Sequence, residues 1–285
     1  MKPLLMLFFS TLLCFPSRAQ SPEEITRTLR FDASDAPRTL VLKNIEGHVR
    51  IIGDQGDDVR LTAQKTIRAH RREDRARAEA EVQLVTEVYG RVAWVYLEAP
   101  YIQVERHGDD LHYDMHRRDD DYQVRYDFTV RVPARIDLRV STVNEGDVSV
   151  EHVQGHTLTL NNVNGDIRGS DISGTTHART VNGEIAMAYA APPTEASTYR
   201  TINGDIRLHF PEDLSADVRF KSMHGDLFTD FPDLAYLPAQ VSTDRSRSGA
   251  QTTYRIDKST QVRIGEGGPR LDLEVLNGSV YLRHQ

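Results

Sequence analysis

From about residue 140 onward, apolar and polar residues alternate in short runs, as in Thr157-Leu158-Thr159-Leu160 and Asp217-Val218-Arg219-Phe220. A period of two, rich in β-branched residues, predicts strands with one buried face. Between the runs a turn recurs: Val143-Asn144-Glu145-Gly146-Asp147-Val148, Val163-Asn164-Gly165-Asp166-Ile167, Val181-Asn182-Gly183-Glu184-Ile185, Ile202-Asn203-Gly204-Asp205-Ile206 and Met223-His224-Gly225-Asp226-Leu227. Leu276-Asn277-Gly278-Ser279-Val280 is a sixth copy, and Ile45-Glu46-Gly47-His48-Val49 an early outlier. The glycines of the five central copies are 19, 18, 21 and 21 residues apart. Gly155 and Gly174 begin a second glycine column between them.

Such a period predicts stacked coils of about twenty residues, because no single unit holds enough apolar residues to bury itself. The expected fold is all-β, a parallel single-stranded β-solenoid, with an antiparallel β-sandwich as the alternative if each Asn-Gly is an independent hairpin. In a solenoid, strands of successive coils lie ~4.8 Å apart in register. Asn144, Asn164, Asn182 and Asn203 then hydrogen-bond along the axis, with Val143, Val163, Val181 and Ile202 expected to stack inside. The structural turn ladder comprises these asparagines with Asn277 and Gly146, Gly165, Gly183, Gly204, Gly225 and Gly278.

The first half is less regular. Strands are predicted at Thr39–Leu42, Val59–Ala63, Val92–Leu97 and Tyr122–Val132. The Arg-, Glu- and Ala-rich stretch predicts one helical insertion at about 71–82. Residues 117–121 form a charged turn. An irregular loop at about 239–250 precedes a further strand.

The recurring apolar-Asn-Gly-Asp-Ile units, and the closing Gly265-Glu266-Gly267-Gly268-Pro269 followed by Leu271 to Gly278, resemble the bacterial putative-adhesin family of exported β-strand-repeat proteins. The resemblance covers roughly residues 38–68 and 124–285. It implies a β-helix-like fold and an envelope location, and it carries over no catalytic residue. The chain departs from the pattern at His224, in place of the ladder asparagine, and at Ser279, in place of the acid.

Compartment follows from the start of the chain. Lys2, the apolar run Leu4 to Phe15 and Ser17-Arg18-Ala19 predict a signal peptide over residues 1–19, cut to leave Gln20. Leu13 before Cys14 does not fit lipidation. Cys14 is the only cysteine, so the expected mature domain, 20–285, has no disulfide. Loss of Lys2 and Arg18 moves the formal net charge from −7 to −9. That balance argues against a general electrostatic grip on nucleic acid or anionic lipid. No further membrane-spanning stretch is expected in the mature chain, which is assigned to the periplasm or cell surface.

Candidate chemistry is sparse. Asp147, Asp166, Glu184, Asp205 and Asp226 would form an acidic edge, either a calcium edge or turn residues facing water. His112, Asp114 and His116 share one face if their segment is a strand, and could hold zinc or nickel; a solvated edge is the other reading. No metal and no cofactor are expected. No Gly-x-Ser-x-Gly, His-Glu-x-x-His or phosphate-binding loop occurs. Asn277-Gly278-Ser279 matches a glycosylation acceptor, which its turn position accounts for. The expectation is a non-enzymatic envelope protein, adhesin-like or scaffolding, that binds an extended glycan or another envelope protein, with Tyr96, Tyr101, Tyr113, Tyr122 and Tyr126 available for stacking. Alternatives are a polysaccharide hydrolase or lyase, for which the Asp166/Arg168 and Asp205/Arg207 pairs are the residues to inspect, and an envelope-stress accessory factor.

Overall fold

In the computed structural model of the protein, the described residues are 22–32, 37–116, 121–238, 243–248, 251–256 and 259–285. The expected signal peptide with Cys14 lies outside them, as do residues 117–120 of the charged turn. No helix among the described residues is long and apolar enough to cross a membrane.

The strands wind into a parallel β-solenoid with two faces, so the sandwich alternative is not the fold. On the front face the stack runs Val92–Glu98, Thr39–Lys43, Asp137–Ser141, Gln154–Asn161, the second half of Ile167–Arg179, Ser197–Asn203, Arg270–Asn277 and Ala216–His224, each parallel to the next. On the back face it runs Tyr122–Pro133, Val49–Asp54, Val148–Glu151, the first half of Ile167–Arg179, Ile185–Tyr189, Ile206–Phe210, Val280–His284 and Leu227–Thr229.

Alternation explains what is inside. Leu42, Val140, Leu160, Ala178, Tyr199, Leu273 and Phe220 are in register across the front strands and all buried. Val49, Val148, Ile167, Ile185, Ile206 and Val280 form the matching buried column behind. Each large aliphatic buried this way stabilises the fold by about 1.5–3 kcal/mol. The Tyr189 and Tyr199 hydroxyls, both buried, meet at 2.5 Å, and the Tyr189 ring stacks on Phe210 at 4.6 Å. Burying two such hydroxyls is tolerable because each finds a polar partner.

The axial order differs from the chain order at one point. Arg270–Asn277 lies between Ser197–Asn203 and Ala216–His224, and Val280–His284 lies between Ile206–Phe210 and Leu227–Thr229. The last coil of the sequence is therefore inserted before the coil that precedes it. The intervening chain makes this possible by running back antiparallel. Thr260–Ile264 pairs with Ala216–Phe220 and with Leu234–Leu237, then reverses at Gly265–Gly268 into Arg270. Part of the expected loop at 239–250 is strand: Thr243–Ser248 pairs antiparallel with Gln251–Ile256.

Both ends of a solenoid core need covering. At the first end Val59–Ala69 runs antiparallel to Tyr122–Pro133 and to Glu23–Leu29. The helix Arg72–Glu81 packs over these strands and buries Ala78. Lys65 Nζ donates to the Val82 carbonyl at 2.9 Å just beyond that helix. On the front, Gln83–Tyr89 pairs antiparallel with Val92–Glu98.

A hairpin, Ile102–His107 and Asp110–Met115, folds over the outside of the front face and makes a second small core from Val41, Val92, Trp94, Tyr96 and Leu111. Its tip is held by Arg91 to Asp109 at 2.9 Å and Lys43 to Asp110 at 3.5 Å. This corrects the expected tyrosine platform. Tyr96, Tyr122 and Tyr126 are buried and Tyr101 and Tyr113 half-buried, because hairpin and core take the faces on which they lie.

Candidate binding surface

The corners are built by three columns of polar groups. Inside, Thr142, Thr180 and Thr201 donate through Oγ1 to the carbonyls of Gly47, Gly165 and Gly183 at 3.0, 2.9 and 2.9 Å. Asn162 Nδ2 donates likewise to the Gly146 carbonyl at 2.9 Å. These buried residues occupy the inward position at the corner. Val143, Val163 and Val181, expected inside, are half-buried, and Ile202 is exposed. The alternation set by Leu158 and Leu160 passes unbroken to Asn162, which turns Val163 outward.

Outside, the asparagines form a continuous ladder. Asn164 donates to Asn144 at 3.0 Å, Asn182 to Asn164 at 2.8 Å, Asn203 to Asn182 at 2.7 Å and Asn277 to Asn203 at 2.8 Å. The Gly278 amide then donates to the His224 carbonyl, so His224 follows Asn277 in the stack. The corner glycines let coils approach. A Cβ on Gly204 would lie 2.1 Å from the Gly183 carbonyl oxygen, and its φ of +148° disfavours any side chain. Gly146, Gly165, Gly183, Gly225 and Gly278 make the same approach to a neighbouring corner.

The third column is acidic, and its carboxylates are engaged. Asp147 accepts the Asp166 backbone N–H at 2.9 Å, Asp166 that of Glu184 at 2.8 Å, and Asp205 that of Ser279 at 2.9 Å. Arg168 bridges Asp147 and Asp166, and Arg207 bridges Glu184 and Asp205. Burial works against ionisation of Asp147, but the Asp166 N–H and the Arg168 guanidinium outweigh it and hold the carboxyl below its ordinary range. These pairings also take up the Asp166/Arg168 and Asp205/Arg207 pairs considered for polysaccharide cleavage. Among the described residues Asp226 receives no such N–H; its own amide donates to Ser279 Oγ at 3.3 Å.

His112 and Asp114 lie exposed on the second strand of the outer hairpin, and His116 follows it. Among the described residues, no three His, Cys, Asp or Glu side chains are placed to hold a metal ion.

The open part of the front face lies beyond that hairpin. Outward positions there form two adjacent columns across the strands: Arg179, Arg200, Glu274 and Lys221, and beside them Val181, Ile202, Leu276 and Met223. Between the columns runs a trough of about 480 Å³. Arg200 is 3.2 Å and Lys221 4.0 Å from Glu274, while Arg179 has no acidic partner among the described residues. A polar hollow of about 280 Å³ continues from it, lined by Thr159, Asn161, His177, Thr198 and the same Arg179 and Arg200. The sequence reading missed this surface. Its signal was the outward phase of the apolar residue before each ladder asparagine.

No curated protein matches the chain. Among solved structures, a putative cell adhesion protein from Clostridium sporogenes is 9% identical, with 93% of this chain and 100% of that chain covered and a TM-score of 0.42. A putative adhesin from Bacteroides fragilis is 8% identical, covering 93% and 98%, with a TM-score of 0.27. A putative lipid binding protein from Parabacteroides distasonis is 10% identical, covering 92% and 96%, with a TM-score of 0.27. The family model described as Toastrack DUF4097 matches residues 136–265. That span begins just before Asp137–Ser141 and takes in the central parallel coils of the β-solenoid.

Proposed function

We propose that the chain is an exported, non-enzymatic surface protein of a bacterial cell envelope, which holds an extended partner, a glycan or another envelope component, on the open stretch of its front face. The observation that carries the reading is the trough itself. It crosses four neighbouring strands, and one wall is formed by large aliphatic side chains that the solenoid core does not use. Exposed apolar surface bordered by polar residues marks interaction sites. The acidic column, by contrast, is occupied with holding coils together, which supports a structural role for it and weighs against the polysaccharide-cleaving alternative.

Isolated envelope fractions from an expressing bacterium provide the test. The purified chain is expected to be retained by an envelope fraction, and Arg179→Glu with Arg200→Glu is expected to lower that retention at least tenfold. Equal retention of the variant would place the partner elsewhere on the molecule. Release of reducing ends from a polysaccharide panel would return the enzyme alternative to first place. Recovery of the chain from the envelope with Gln20 as its first residue is the expected outcome for export.

A further inference from the structure

The trough and the hollow together have the form of a site for one kind of ligand. The trough's far wall is aliphatic: Ile202 and Leu276 are each 39% exposed and Met223 68%, where outward positions on a sheet are ordinarily polar. None of the described residues lining it is aromatic, so the wall they form is aliphatic and carries no ring for a sugar to stack on. Its near wall carries Arg179 and Arg200 beside the single carboxylate of Glu274, which is 3.2 Å from Arg200 and leaves Arg179 without an acidic partner among the described residues. This local excess of positive charge sits on a chain whose formal net charge is −7.

Arg179 and Arg200 also line the adjoining hollow, where the other groups are the hydroxyls of Thr159 and Thr198, the amide of Asn161 and the imidazole of His177. Guanidinium groups suit carboxylate and phosphate because their planar fork matches two oxygens at once. Arg168 and Arg207 on the back face have that fork filled by acids of the corner column, whereas Arg179 does not. The hollow lined by Arg179 and Arg200 therefore opens into an apolar trough that runs along the solenoid axis over Ser197–Asn203, Arg270–Asn277 and Ala216–His224. From Arg179 to Lys221 the trough spans three strand spacings, about 14 Å.

We propose that this site binds a single-chain anionic amphiphile, with its carboxylate or phosphate head in the hollow at Arg179 and Arg200 and its alkyl chain along Ile202, Leu276 and Met223. The assignment rests on the surface-binding reading above and specifies its ligand. The hollow selects the charge and the aliphatic wall selects the chain. An acidic protein can bind such a ligand because the contact is local and owes nothing to its overall field.

The test is titration calorimetry of the full chain with myristate and with myristoyl-lysophosphatidylglycerol, both below their micelle concentrations. Myristoyl-lysophosphatidylcholine, monomyristin and inorganic phosphate serve as comparators. The two anionic amphiphiles are expected to bind at least tenfold more tightly than the zwitterionic or uncharged one, and inorganic phosphate more weakly still. Arg179→Glu with Arg200→Glu, and separately Ile202→Ser with Met223→Ser, should each reduce binding at least tenfold while the thermal transition stays in place. Equal binding of all chains regardless of head group, or of the variants and the parent, overturns the proposal. Binding confined to vesicles of anionic phospholipid overturns it in favour of a bilayer surface. If the amphiphiles fail but delipidated envelope polymer is retained through Arg179 and Arg200, the ligand class is wrong and the surface-binding reading stands. If no fraction is retained, both fall.

Discussion

Asn182 both donates to Asn164 and accepts from Asn203, while Asn144 at the end of the ladder only accepts. With a net worth of about 0.5–1.5 kcal/mol per hydrogen bond, Asn182→Ala should cost about twice as much as Asn144→Ala in urea-induced unfolding. Equal costs would mean that the amides are solvated singly and not as a ladder. Asp147 gives a second prediction at this scale. Its carboxyl is held below the ordinary value of 3.8 in the folded chain. The unfolded chain therefore takes up the proton first as pH falls, so the stabilisation is complete above about pH 5 and is lost as pH drops through the folded value. The urea midpoint should be level between about pH 7 and 5 and fall below about pH 4, and Asp147→Asn should make that fall shallower. The asparagine ladder was legible in the sequence because one residue type repeats at one spacing. The inner column was not, because Thr142, Asn162, Thr180 and Thr201 share a role and not an identity. Following the alternation of Leu158 and Leu160 one step further would have placed Asn162 inside and Val163 outside.

At the scale of elements, strand alternation and the helix were readable, with Arg72–Glu81 falling inside the expected 71–82. The outer hairpin was not. Leu111 and Tyr113 alternate with polar residues as a half-buried strand should, but the surface that buries them lies on Thr39–Lys43 and Val92–Glu98, distant in sequence. Val92–Glu98 is buried at six consecutive positions for the same reason, with solenoid core on one side and hairpin on the other. Trp94, the chain's single tryptophan, is 4% exposed beneath that hairpin, with the Arg106 guanidinium 5.4 Å from its ring. Its emission reports hairpin docking. Leu111→Asp, which places a charge in the small core, should shift that emission to the red and raise quenching by iodide, while far-ultraviolet circular dichroism retains the solenoid signal. An unchanged emission would show that the hairpin does not cover the tryptophan.

For the whole molecule, the stacking of corners followed from the period up to Gly204, and the insertion of the last coil did not. Fifty-three residues separate Gly225 from Gly278, and nothing in either corner says which of the two neighbours Gly204. The order is decided by the antiparallel return of Thr260–Ile264 alongside Ala216–Phe220, which leaves the incoming Arg270–Asn277 only the opposite edge of that strand. The functional surface depends on this order, because Glu274 and Leu276 complete the trough only by standing between Arg200 and Ile202 on one side and Lys221 and Met223 on the other. Paired cysteines in a chain beginning at Gln20 test it most directly. Asn203 and His224 each stand in register with Asn277, whereas two strand spacings, about 10 Å, separate Asn203 from His224, beyond the reach of a disulfide. Asn203→Cys with Asn277→Cys, and His224→Cys with Asn277→Cys, should cross-link readily under mild oxidation, and Asn203→Cys with His224→Cys should not. Cross-linking of 203 to 224, with 203 to 277 failing to cross-link, would put the coils in chain order and remove the trough.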